Sequence, residues 1–541
     1  MFTITTEKLS KESIDNLGSI FEYHCVYILA NGTHAYVGQT SNVEQRFKQH
    51  VEAKNYIRDY NFKTIHIISG DILDSFDETP SKHFEYLLIK LMKVDKKFRI
   101  INKKPVNMPH YDRVNKFELY FDKLWPDLVK NKLVKQKKFE TIINSGAYKY
   151  SPDTILNHQQ QKALDATINI FNSNSLESTN KKYNKRVVLV SGNAGTGKTV
   201  YATSLLHYFK TNELFKGQKI ALMYSQPSMR ESIKKALKGI EGIDVNEDII
   251  PPIEITKKKY DIIICDEAHR LRWKKNIGKY ATIIKQGNDR LGFDDDKDEL
   301  DWIFKNSHYQ ILIYDSKQTV VPSDIDSESF EKRVGISLKE HMHYIRPVNL
   351  DLDEQMRIGA GDEYVSYIYD ILQGKPGLQR QVFENYEFRL IDDLSEMVEL
   401  IRQKEKDEGL SRLCGGYAWK WKKGYPLNID GVELWWNSRT SGWLENDSNK
   451  DEVGSIYTLA GLDLNFAGVM IGPDLAFDKD NDTIEIDKAH IFDRNVKVVK
   501  DIASRKRFIL NAYAVLMTRG VKGTFVYVQN KELREYFRRF I

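Results

Sequence analysis

The sequence predicts an α/β protein in which a small α+β unit precedes a larger part built on parallel sheets. Short apolar runs alternate with amphipathic stretches from about Glu22 to Pro105, whereas buried-type strands alternate with longer helical patterns from Lys185 onward. A chain of 541 residues is too long for one hydrophobic core. With 29% charged and 41% hydrophobic residues, we expect a globular protein of several domains.

Composition excludes some classes of protein without identifying a partner. The formal net charge of +5 is compatible with nucleic-acid binding but does not argue for it. Cys25, Cys265 and Cys414 lie far apart, which disfavours a disulfide framework and a structural zinc site and fits a reducing cytoplasm. The sequence has no apolar run of about 18 residues and no signal peptide, so we expect a cytoplasmic protein without a membrane segment.

The N-terminal region begins with a predicted β-hairpin. Two short apolar runs, Cys25–Leu29 and Ala35–Thr40, flank the turn-forming pair Asn31-Gly32. Ser41–Glu44 has the pattern of a capping box, in which two side chains satisfy the first backbone N–H groups of a helix. The hairpin is therefore expected to lead directly into a helix.

Two predicted helices of this region carry polar side chains at helical spacing. Arg46 and His50 are four residues apart, which places both on one face of the first helix. The second helix, around Lys82–Met92, turns Glu85 away from a stripe of core residues. That stripe consists of Phe84, Leu87, Leu88 and Leu91. Taken singly, these polar side chains also fit a capping histidine and a solvent-facing glutamate, so their spacing alone leaves their roles open.

A basic segment, Lys130–Lys138, marks a predicted boundary. We favour a solvated helical connector, and the alternative is a strap that contacts phosphates. The polar stretch Asn172–Asn180 is predicted to be a surface loop of the next domain. The strands beyond it alternate with helical patterns, which is typical of a parallel sheet covered by helices. These strands are Arg186–Ser191, Lys219–Tyr224, Tyr260–Cys265 and Gln310–Tyr314.

A phosphate-binding loop is the sharpest pattern in the sequence. The run Gly192-Asn-Ala-Gly195-Thr-Gly197-Lys198-Thr199 follows an apolar strand and precedes a helical stretch, which is the context that such a loop requires. The three glycines let backbone N–H groups curl around phosphates, and the helix N-terminus adds a favourable dipole. Lys198 is expected to contact the terminal phosphates of ATP, and Thr199 to bind Mg²⁺.

A pair of carboxylates supplies the second half of the predicted ATP site. Asp266 and Glu267 end an apolar strand, where one carboxylate can hold Mg²⁺ while its neighbour activates water. We assign the metal to Asp266 and the general base to Glu267. The alternative is that the same residues simply begin a helix.

Tryptophan is concentrated in one segment near the C-terminal end of the sequence. Bases can stack on such rings, each contributing about 1–3 kcal/mol. Because Tyr417–Trp421 alternates like a strand, we favour core packing instead. The clustered residues are Trp419, Trp421, Trp435, Trp436 and Trp443.

Ordered motifs resemble those of superfamily one helicases, in the branch called Schlafen group 3-like, over about Leu156–Tyr536. The motif segments are Leu156–Gln160, Ile313–Gln318, Leu352–Arg357, Gly454–Asp463 and Tyr513–Gly520. The resemblance implies two RecA-like lobes with ATP between them, adenine recognition by Gln160 and sensing of the terminal phosphate by Gln318. It also implies that Arg357 and Arg519 reach the γ-phosphate from the second lobe. Such an arginine can contribute about 10³- to 10⁵-fold in rate.

One departure from that family concerns strand separation. Only about 30 residues lie between Met229 and Tyr260, where many relatives insert a domain that splits duplexes. We therefore expect translocation or remodelling of nucleic acid rather than unwinding.

The N-terminal region resembles the GIY-YIG nuclease family over about Glu22–Pro105, although Cys25 stands where the first motif has its glycine. The resemblance implies catalytic roles for six residues: Tyr27, Tyr36, Arg46, His50, Glu85 and Asn102. Glu85 would bind one Mg²⁺ or Mn²⁺ ion. Tyr27 or His50 would accept a proton from the attacking water, and Arg46 would grip the phosphate.

Together these patterns predict four segments and two enzymatic activities. The segments are a GIY-YIG nuclease domain at residues 1–110, a basic helical linker at 111–150, and two RecA-like lobes at 151–345 and 346–541. We expect an ATP-dependent, nucleic-acid-processing endonuclease that acts on DNA rather than RNA, with a role in antiviral defence by analogy. The alternatives are an ATP-gated sensor nuclease without processive movement and a non-cleaving DNA-binding ATPase that remodels a partner.

Overall fold

The computed structural model divides the chain into two compact units, residues 1–155 and 156–541. It describes residues 2–9, 24–52, 57–70, 78–102, 114–143, 145–152, 156, 158–172, 187–193, 195–272, 280–315, 320, 322–324, 330–335, 348–352, 360–422, 424–439, 443–444, 446–459 and 461–541. No helix among these residues is both long and apolar enough to cross a membrane.

The first unit is built on a five-stranded sheet with the order β1-β4-β2-β3-β5. Its strands are β1 Phe2–Lys8, β2 Cys25–Ala30, β3 His34–Thr40, β4 Thr64–Gly70 and β5 Arg99–Ile100. Its helices are α1 Val43–Glu52, α2 Glu78–Asp95, α3 Val114–Lys130, α4 Phe139–Ile143 and α5 Gly146–Lys149. The predicted hairpin is confirmed, because β2 and β3 pair antiparallel across the turn at residues 31–33.

The first helix starts one residue later than its capping pattern suggests. The Asn42 carboxamide, rather than Ser41, accepts the backbone N–H of Gln45 at 2.8 Å. Asparagine and serine are equally good at this position, so the shift does not weaken the cap. The core stripe of α2 is confirmed, since its four apolar residues lie in the same cluster as the apolar face of α3.

The prediction of a helical connector at Lys130–Lys138 is wrong beyond its first residue. Helix α3 ends at Lys130, and residues 131–138 form turns and irregular backbone. Leu133 and Val134 are buried in the same cluster as β2 and α2. The Asp95 carboxylate accepts the backbone N–H groups of Lys135 and Gln136, both at 2.7 Å. This segment is therefore packed into the first unit.

The second unit opens with a six-stranded sheet of order β11-β6-β10-β9-β7-β8, in which every pairing is parallel. Its strands are β6 Val187–Gly192, β7 Ile220–Met223, β8 Ile249–Ile250, β9 Tyr260–Cys265, β10 Ser307–Tyr314 and β11 Val348–Leu352. The accompanying helices are α6 His158–Asn172, α7 Lys198–Thr211, α8 Pro227–Leu237, α9 Val245–Asp248, α10 Ala281–Leu291 and α11 Glu299–Asn306. The four predicted strands and the parallel sheet are confirmed. Residues 173–180 of the expected surface loop lie outside the described residues.

A seven-stranded sheet of order β12-β20-β17-β13-β16-β15-β14 forms the rest of the second unit. Its strands are β12 Glu387–Leu390, β13 Ser411–Gly415, β14 Leu427–Ile429, β15 Val432–Trp436, β16 Glu452–Ser455, β17 Leu464–Ile471 and β20 Gly520–Val528. A separate hairpin comprises β18 Leu475–Asp478 and β19 Thr483–Ile486. The helices of this part are α12 Gly361–Gln373, α13 Leu394–Glu408, α14 Ile456–Leu459, α15 Arg494–Lys497, α16 Ile502–Met517 and α17 Lys531–Arg538.

Strand β11 lies in a different sheet from the one that its motif implied. It was expected in a second lobe beginning at residue 346, but it pairs in parallel with β6, with Leu352 opposite Gly192. Its register therefore puts the start of the Leu352–Arg357 motif next to the phosphate-binding loop, as part of the first sheet. Arg357 itself lies outside the described residues.

The segment between Met229 and Tyr260 is wholly described and contains no inserted domain. It consists of the end of α8, the short helix α9, strand β8 and a 3₁₀-helix at Pro252–Thr256. Strand β8 extends the first sheet by pairing with β7. The segment therefore completes the sheet edge, as its length predicted.

The tryptophan cluster is only partly buried. Trp436 and Trp443 are in the core, and the half-buried Trp419 donates its indole N–H to Gln529 at 3.0 Å. Core packing is wrong for Trp421 and Trp435, which are 41% and 50% exposed. The alternation of Tyr417–Trp421 did not indicate a strand, because β13 ends before it at Gly415.

Candidate functional sites

Tyr27 is the centre of the site in the first unit. It is fully buried on β2, and its hydroxyl lies 2.7 Å from His50 Nε2 and 3.2 Å from Arg46 Nε. The two partners project from α1 one turn apart, as their spacing predicted. Tyr36, on β3, is half-buried beside this group, with its ring 6.3 Å from Tyr27 and 5.7 Å from His50.

The protonation of this group follows from its burial. Burial raises the pKa of the Tyr27 phenol well above its usual value, so the hydroxyl keeps its proton. Burial and the Arg46 guanidinium lower the pKa of His50 to about 4, which leaves a neutral imidazole at pH 7. The Tyr27 O–H therefore donates to His50 Nε2 and accepts the Arg46 N–H. His50 Nδ1 is buried without a hydrogen-bond partner among the described residues.

Gly38 makes room for this arrangement. It lies directly opposite Tyr27 in the β2–β3 register. A Cβ atom at position 38 would lie 2.4 Å from the Tyr27 hydroxyl oxygen, far inside van der Waals contact. The position of the Tyr27 side chain therefore requires a glycine at position 38. The sequence analysis assigned no role to Gly38.

Glu85 is a buried carboxylate on α2. Its side chain is only 8% exposed, so the solvent-facing interpretation is wrong. It has no hydrogen bond or ion pair with any residue in the described part of the chain. Burial raises its pKa to about 7, an effect that the charges of Arg46 and Lys82 reduce. A buried carboxylate that forms no ion pair is a natural ligand for a divalent cation.

Among the described residues of the first unit, metal binding would depend on this one carboxylate. Among the described residues there is no group of three or more His, Cys, Asp or Glu side chains that could hold a metal ion. A hard cation that keeps most of its water ligands needs only one or two protein carboxylates, as Mg²⁺ often does. Glu85 fits that kind of site.

Asn102, for which the resemblance implied a catalytic role, is bonded to the backbone of β3. Its carboxamide oxygen accepts the backbone N–H of Val37 at 3.1 Å, and its amide nitrogen donates to the Val37 carbonyl at 2.7 Å. The side chain thus continues the edge of β3 in the way that a neighbouring strand would. This keeps Tyr36 and Gly38 in register.

A polar cavity of about 450 Å³ opens beside Arg46. The Arg46 guanidinium, which donates to Gln49 Oε1 at 3.0 Å, is the only cationic side chain among lining residues that are otherwise amides and hydroxyls plus a histidine. The lining residues are His24, Gln39, Thr40, Ser41, Asn42, Gln45, Arg46 and Gln49. This cavity can admit a polar, anionic strand to the Tyr27 group.

The phosphate-binding loop of the second unit has the predicted form. Gly195 and Gly197 adopt left-handed backbone angles, with φ of 86° and 76°. Gly192 is packed against Leu352, whose carbonyl oxygen would lie 2.9 Å from an added Cβ. Gln160 is buried and donates from Nε2 to the Thr196 carbonyl at 2.8 Å. It therefore supports the loop in addition to its proposed contact with adenine.

Lys198 is held by three oxygen atoms at the centre of this loop. Its Nζ donates to the carbonyls of Gly192 and Asn193 at 2.8 and 2.7 Å, and it pairs with Asp315 Oδ2 at 3.1 Å. Both side chains of the ion pair are buried. Asp315 immediately follows β10, which lies beside β6, the strand that leads into this loop, so sheet order could have predicted the contact.

The two predicted carboxylates have different partners. Asp266 is fully buried and accepts the Thr199 hydroxyl at 2.9 Å, which brings both predicted magnesium ligands together. Burial and the adjacent Glu267 raise the pKa of Asp266. Glu267 has a left-handed backbone with φ of 55° and accepts Arg270 Nε at 3.0 Å.

His269 connects the carboxylates to the end of β10. Its Nδ1 accepts the backbone N–H of Asp315 at 3.1 Å, and its Nε2 lies 3.3 Å from Glu267 Oε2. Interactions with His269 and Arg270 keep the pKa of Glu267 well below its usual value despite burial. Glu267 is therefore ionised. Sequence reasoning missed these two positioning residues, which immediately follow the carboxylate pair.

Arg519 lies at the junction of α16 and β20 and is 1% exposed. Its Nε donates to the Val515 carbonyl at 3.0 Å, and Nη1 donates to the Leu462 carbonyl at 3.4 Å. The guanidinium thus joins two predicted motif segments. The other two expected γ-phosphate contacts, from Gln318 and Arg357, lie outside the described residues.

The site geometry agrees with the comparison with protein families. The family description of the Schlafen group 3 DNA/RNA helicase domain matches residues 185–530, which is well over half of the chain. The chain belongs to this family. The GIY-YIG catalytic domain matches residues 23–98, which include the Tyr27 group and Glu85. This Schlafen group 3 protein is therefore a nucleic-acid-processing enzyme with an endonuclease domain and an ATP-hydrolysing, helicase-type domain.

Individual relatives are distant. An uncharacterized protein of the yeast Saccharomyces cerevisiae is 25% identical over 439 residues, which cover 73% of this chain and 93% of the relative. The Pif1 helicase of Candida albicans aligns at 9% identity over 71% of this chain and 99% of its own, with a TM-score of 0.28. An Arterivirus helicase, nonstructural protein 10, aligns at 13% over 65% and 61%, with a TM-score of 0.29. At such TM-scores the assignment depends on the family matches and strand order.

Proposed function

We propose that the first unit cleaves phosphodiester bonds with the help of one divalent cation, Mg²⁺ or Mn²⁺, held by Glu85. The observation that carries this proposal is the buried Glu85 carboxylate, which has no hydrogen bond or ion pair among the described residues and interacts electrostatically with Arg46 and with Tyr27, the tyrosine bonded to Arg46 and His50. Isolated buried charges are costly, and a bound cation removes that cost.

The Tyr27–His50 pair provides a path for the proton of the attacking water. When water attacks phosphorus, its proton passes to the Tyr27 oxygen while the Tyr27 proton moves to His50 Nε2, 2.7 Å away. His50 becomes the cation and Tyr27 stays neutral, as its raised pKa requires. Positioned proton transfer of this kind contributes about 10²- to 10⁴-fold in rate.

Arg46 and the bound cation would neutralise the phosphate. Arg46 donates to Tyr27 from Nε, which fixes the plane of its guanidinium toward the polar cavity. When bound, the cation supplies charge neutralisation for the phosphodiester and its leaving oxygen. Tyr36 lies beside His50 and shields this part of the site from water.

We further propose that ATP hydrolysis in the second unit moves the protein along nucleic acid without separating strands. Lys198 would exchange Asp315 for the terminal phosphates, Thr199 and Asp266 would hold Mg²⁺, and Glu267 would orient the attacking water. Gln318, Arg357 and Arg519 would sense the γ-phosphate, and Gln160 would contact adenine. The compact Met229–Tyr260 segment, without an inserted domain, supports translocation rather than unwinding.

The substrate that we propose is DNA, cut in the cytoplasm as part of antiviral defence. The alternative is a sensor in which ATP gates cleavage without movement along the nucleic acid. Incubation of the protein with end-labelled single-stranded, duplex and branched DNA and RNA tests these proposals. We expect cleavage of DNA with Mg²⁺ or Mn²⁺ and none with EDTA. Equal cleavage in EDTA contradicts the metal proposal, and preferential cleavage of RNA contradicts the substrate.

Translocation and gating differ in their dependence on substrate length. A motor that moves produces cuts far from its loading site, and this requires ATP hydrolysis, whereas a gate needs only ATP binding. We expect long substrates to be cut efficiently with ATP and poorly with a non-hydrolysable analogue. Equal cutting with the analogue supports the sensor.

A further inference from the structure

Asp474 is a buried carboxyl group of the second unit that belongs to neither active site. It follows β17 at the carboxyl edge of the seven-stranded sheet and is 4% exposed. Burial raises its pKa to about 7, although contacts with Tyr513, with nearby backbone N–H groups and with His490 oppose that shift. Taking a carboxyl group out of water costs free energy, and an apolar side chain would fill the same space without that cost. Core packing alone therefore does not account for Asp474.

Tyr513 is the side chain that holds this carboxyl group. It lies on α16 and is fully buried. Its hydroxyl donates to Asp474 Oδ1 at 2.7 Å and accepts the backbone N–H of Gly472 at 3.1 Å. Burial and the Asp474 carboxylate keep the pKa of the phenol well above its usual value, so Tyr513 remains the proton donor. Two hydrogen bonds thus join α16 to the end of β17.

Gly416 leaves room for the Tyr513 hydroxyl. It follows β13, the strand that lies beside β17. A Cβ atom at position 416 would lie 2.7 Å from the hydroxyl oxygen, which is inside van der Waals contact. Gly472 is also crowded, since a Cβ atom there would lie 2.2 Å from Ala418 Cβ. The hydroxyl therefore occupies a close-fitting space between the ends of two strands.

The base of the β18–β19 hairpin fixes the backbone of Asp474. The backbone N–H of Asp487 donates to the Asp474 carbonyl at 2.9 Å, which closes the segment that contains the hairpin. The backbone N–H of Leu475 donates to the Gly472 carbonyl at 3.3 Å, so the chain turns tightly after β17. Both bonds end on backbone carbonyls, which leaves the carboxyl group of Asp474 available to Tyr513.

The helix that carries Tyr513 leads directly to Arg519. Arg519 Nε donates to the Val515 carbonyl at 3.0 Å, and Val515 lies two residues after Tyr513 on α16. The contact from Nη1 to the Leu462 carbonyl is longer, at 3.4 Å. The six residues from Tyr513 to Arg519 span roughly 9 Å at the helical rise per residue. A shift of α16 along its axis therefore moves the guanidinium with it, because the guanidinium is bonded to the helix.

We propose that Asp474 and Tyr513 are positioning residues that hold α16 where Arg519 can reach the γ-phosphate of ATP. Both residues act through the helix and do not touch the nucleotide. The inference rests on the role proposed above for Arg519 and adds two residues to it. A satisfied buried polar contact defines one position of the helix against the sheet, which apolar packing does less strictly. Such support matters, because a misplacement of about 1 Å can cost about 10²-fold in rate.

The test begins with Tyr513→Phe, which removes the hydroxyl and keeps the ring. We expect kcat for ATP hydrolysis to fall about tenfold while KM for ATP changes less than about twofold, because Arg519 acts on the transition state. Asp474→Asn should retain most of the activity, since a carboxamide oxygen also accepts the hydroxyl, whereas Asp474→Leu should reproduce the loss. Tyr536→Phe is a matched control that should leave kcat unchanged. It removes a buried hydroxyl that donates to the Ile371 carbonyl at 2.6 Å.

A double-mutant cycle separates the positioning of Arg519 from a general loss of structure. In the Arg519→Ala background, Tyr513→Phe should cause no further loss of kcat, because no guanidinium remains to be positioned. Effects that multiply would show that Tyr513 acts independently of Arg519 and would overturn the proposal. Unchanged kcat in Tyr513→Phe also overturns it, as do equal losses in Asp474→Asn and Asp474→Leu.

Should Tyr513→Phe not fold, Gly416→Ala decides, because its added methyl group displaces the hydroxyl without removing a hydrogen-bonding group. A loss of kcat that disappears in the Arg519→Ala background supports the proposal, and normal kcat overturns it. Normal turnover by Arg519→Ala alone would remove the role proposed for that arginine. Reduced turnover by Arg519→Ala together with normal turnover by Tyr513→Phe would overturn only the present inference.

Discussion

The two active sites differ in how their charges are balanced. In the ATP site the charged groups already have partners: Lys198 pairs with Asp315, and Glu267 pairs with Arg270. In the nuclease site, Glu85 is buried with no ion pair among the described residues, and its pKa is raised to about 7. We therefore expect the first site to exchange partners when its substrate binds, and our proposal makes the second site incomplete until a cation binds.

The largest effect that we expect is on the ATP site. Lys198→Ala should reduce ATP turnover by at least about 10³-fold. The reason is that Lys198 Nζ exchanges its present protein oxygen partners for the terminal phosphate oxygens of ATP. Steady-state phosphate release is the measurement. Lys216→Ala, which removes an exposed lysine paired with Glu213, should be normal. A folded Lys198→Ala protein with near-normal turnover contradicts the assignment.

The next effect concerns Gly38. Gly38→Ala should lower cleavage by about 10²-fold, because the added methyl group displaces the Tyr27 hydroxyl from His50 and Arg46. Gly32→Ala is a matched control in the same hairpin, since a Cβ at position 32 has no neighbour within 4 Å. ATP hydrolysis should be unaffected in both variants. Normal cleavage by Gly38→Ala excludes the Tyr27 hydroxyl from the reaction.

A stability measurement distinguishes Glu85, which has no ion pair among the described residues, from a paired carboxylate such as Glu267. The folded pKa of Glu85, about 7, is raised above its ordinary value of 4.5. The contribution of Glu85 to the free energy of unfolding is therefore fully present below pH 4.5 and is lost as pH rises through 7. This loss is on the order of 3 kcal/mol. Denaturant unfolding in EDTA measures this loss as a function of pH. The loss should be smaller in Glu85→Gln than in the wild type, because glutamine does not ionise.

Divalent cation should restore the lost stability in the wild type alone. Mn²⁺ at pH 8 should raise the free energy of unfolding of the wild type but not of Glu85→Gln. Parallel pH profiles for the two proteins in EDTA would show that ionised Glu85 carries no electrostatic cost in the folded protein. Equal stabilisation of the two proteins by Mn²⁺ would show that Glu85 is not a metal ligand.

The smallest effect that we expect is at Asn102. Asn102→Ala removes two hydrogen bonds to the Val37 backbone and should slow cleavage by about tenfold through looser placement of Tyr36 and Gly38. The pH dependence of cleavage should not change, since Asn102 takes no part in proton transfer. A loss of cleavage as large as that of Gly38→Ala would support the catalytic role that the resemblance implied for Asn102.

The sequence predicted local geometry better than environment. Helical spacing placed Arg46 and His50 on one face, because that follows from backbone periodicity. The phosphate-binding loop and the carboxylate pair at the end of β9 assigned Thr199 and Asp266 to one magnesium site, and the two side chains are in contact. The burial of Glu85 did not follow, since it depends on neighbours that are distant in sequence. The exposure of Trp421 and Trp435 was missed for the same reason, because alternation in a turn resembles alternation in a strand.

Strand β11 shows a related limit. Its motif was recognised, but its pairing with β6 is a choice between two sheets that no local pattern encodes. The prediction that Lys130–Lys138 is helical was wrong, because a high lysine content indicates contact with solvent and not a backbone conformation. Leu133 and Val134, whose burial ties that segment to the first unit, were the informative residues.

The central claim is that Glu85 completes a nuclease site which works separately from the ATP site. Cleavage of labelled DNA and ATP hydrolysis should be measured on the same preparations of wild type, Glu85→Ala and Glu44→Ala, the last removing an exposed glutamate of α1. We predict that Glu85→Ala loses cleavage by at least about 10³-fold, retains ATP hydrolysis, and still binds DNA, while Glu44→Ala behaves as wild type. Wild-type cleavage by Glu85→Ala would contradict the nuclease assignment, and simultaneous loss of ATP hydrolysis would contradict the separation of the two sites.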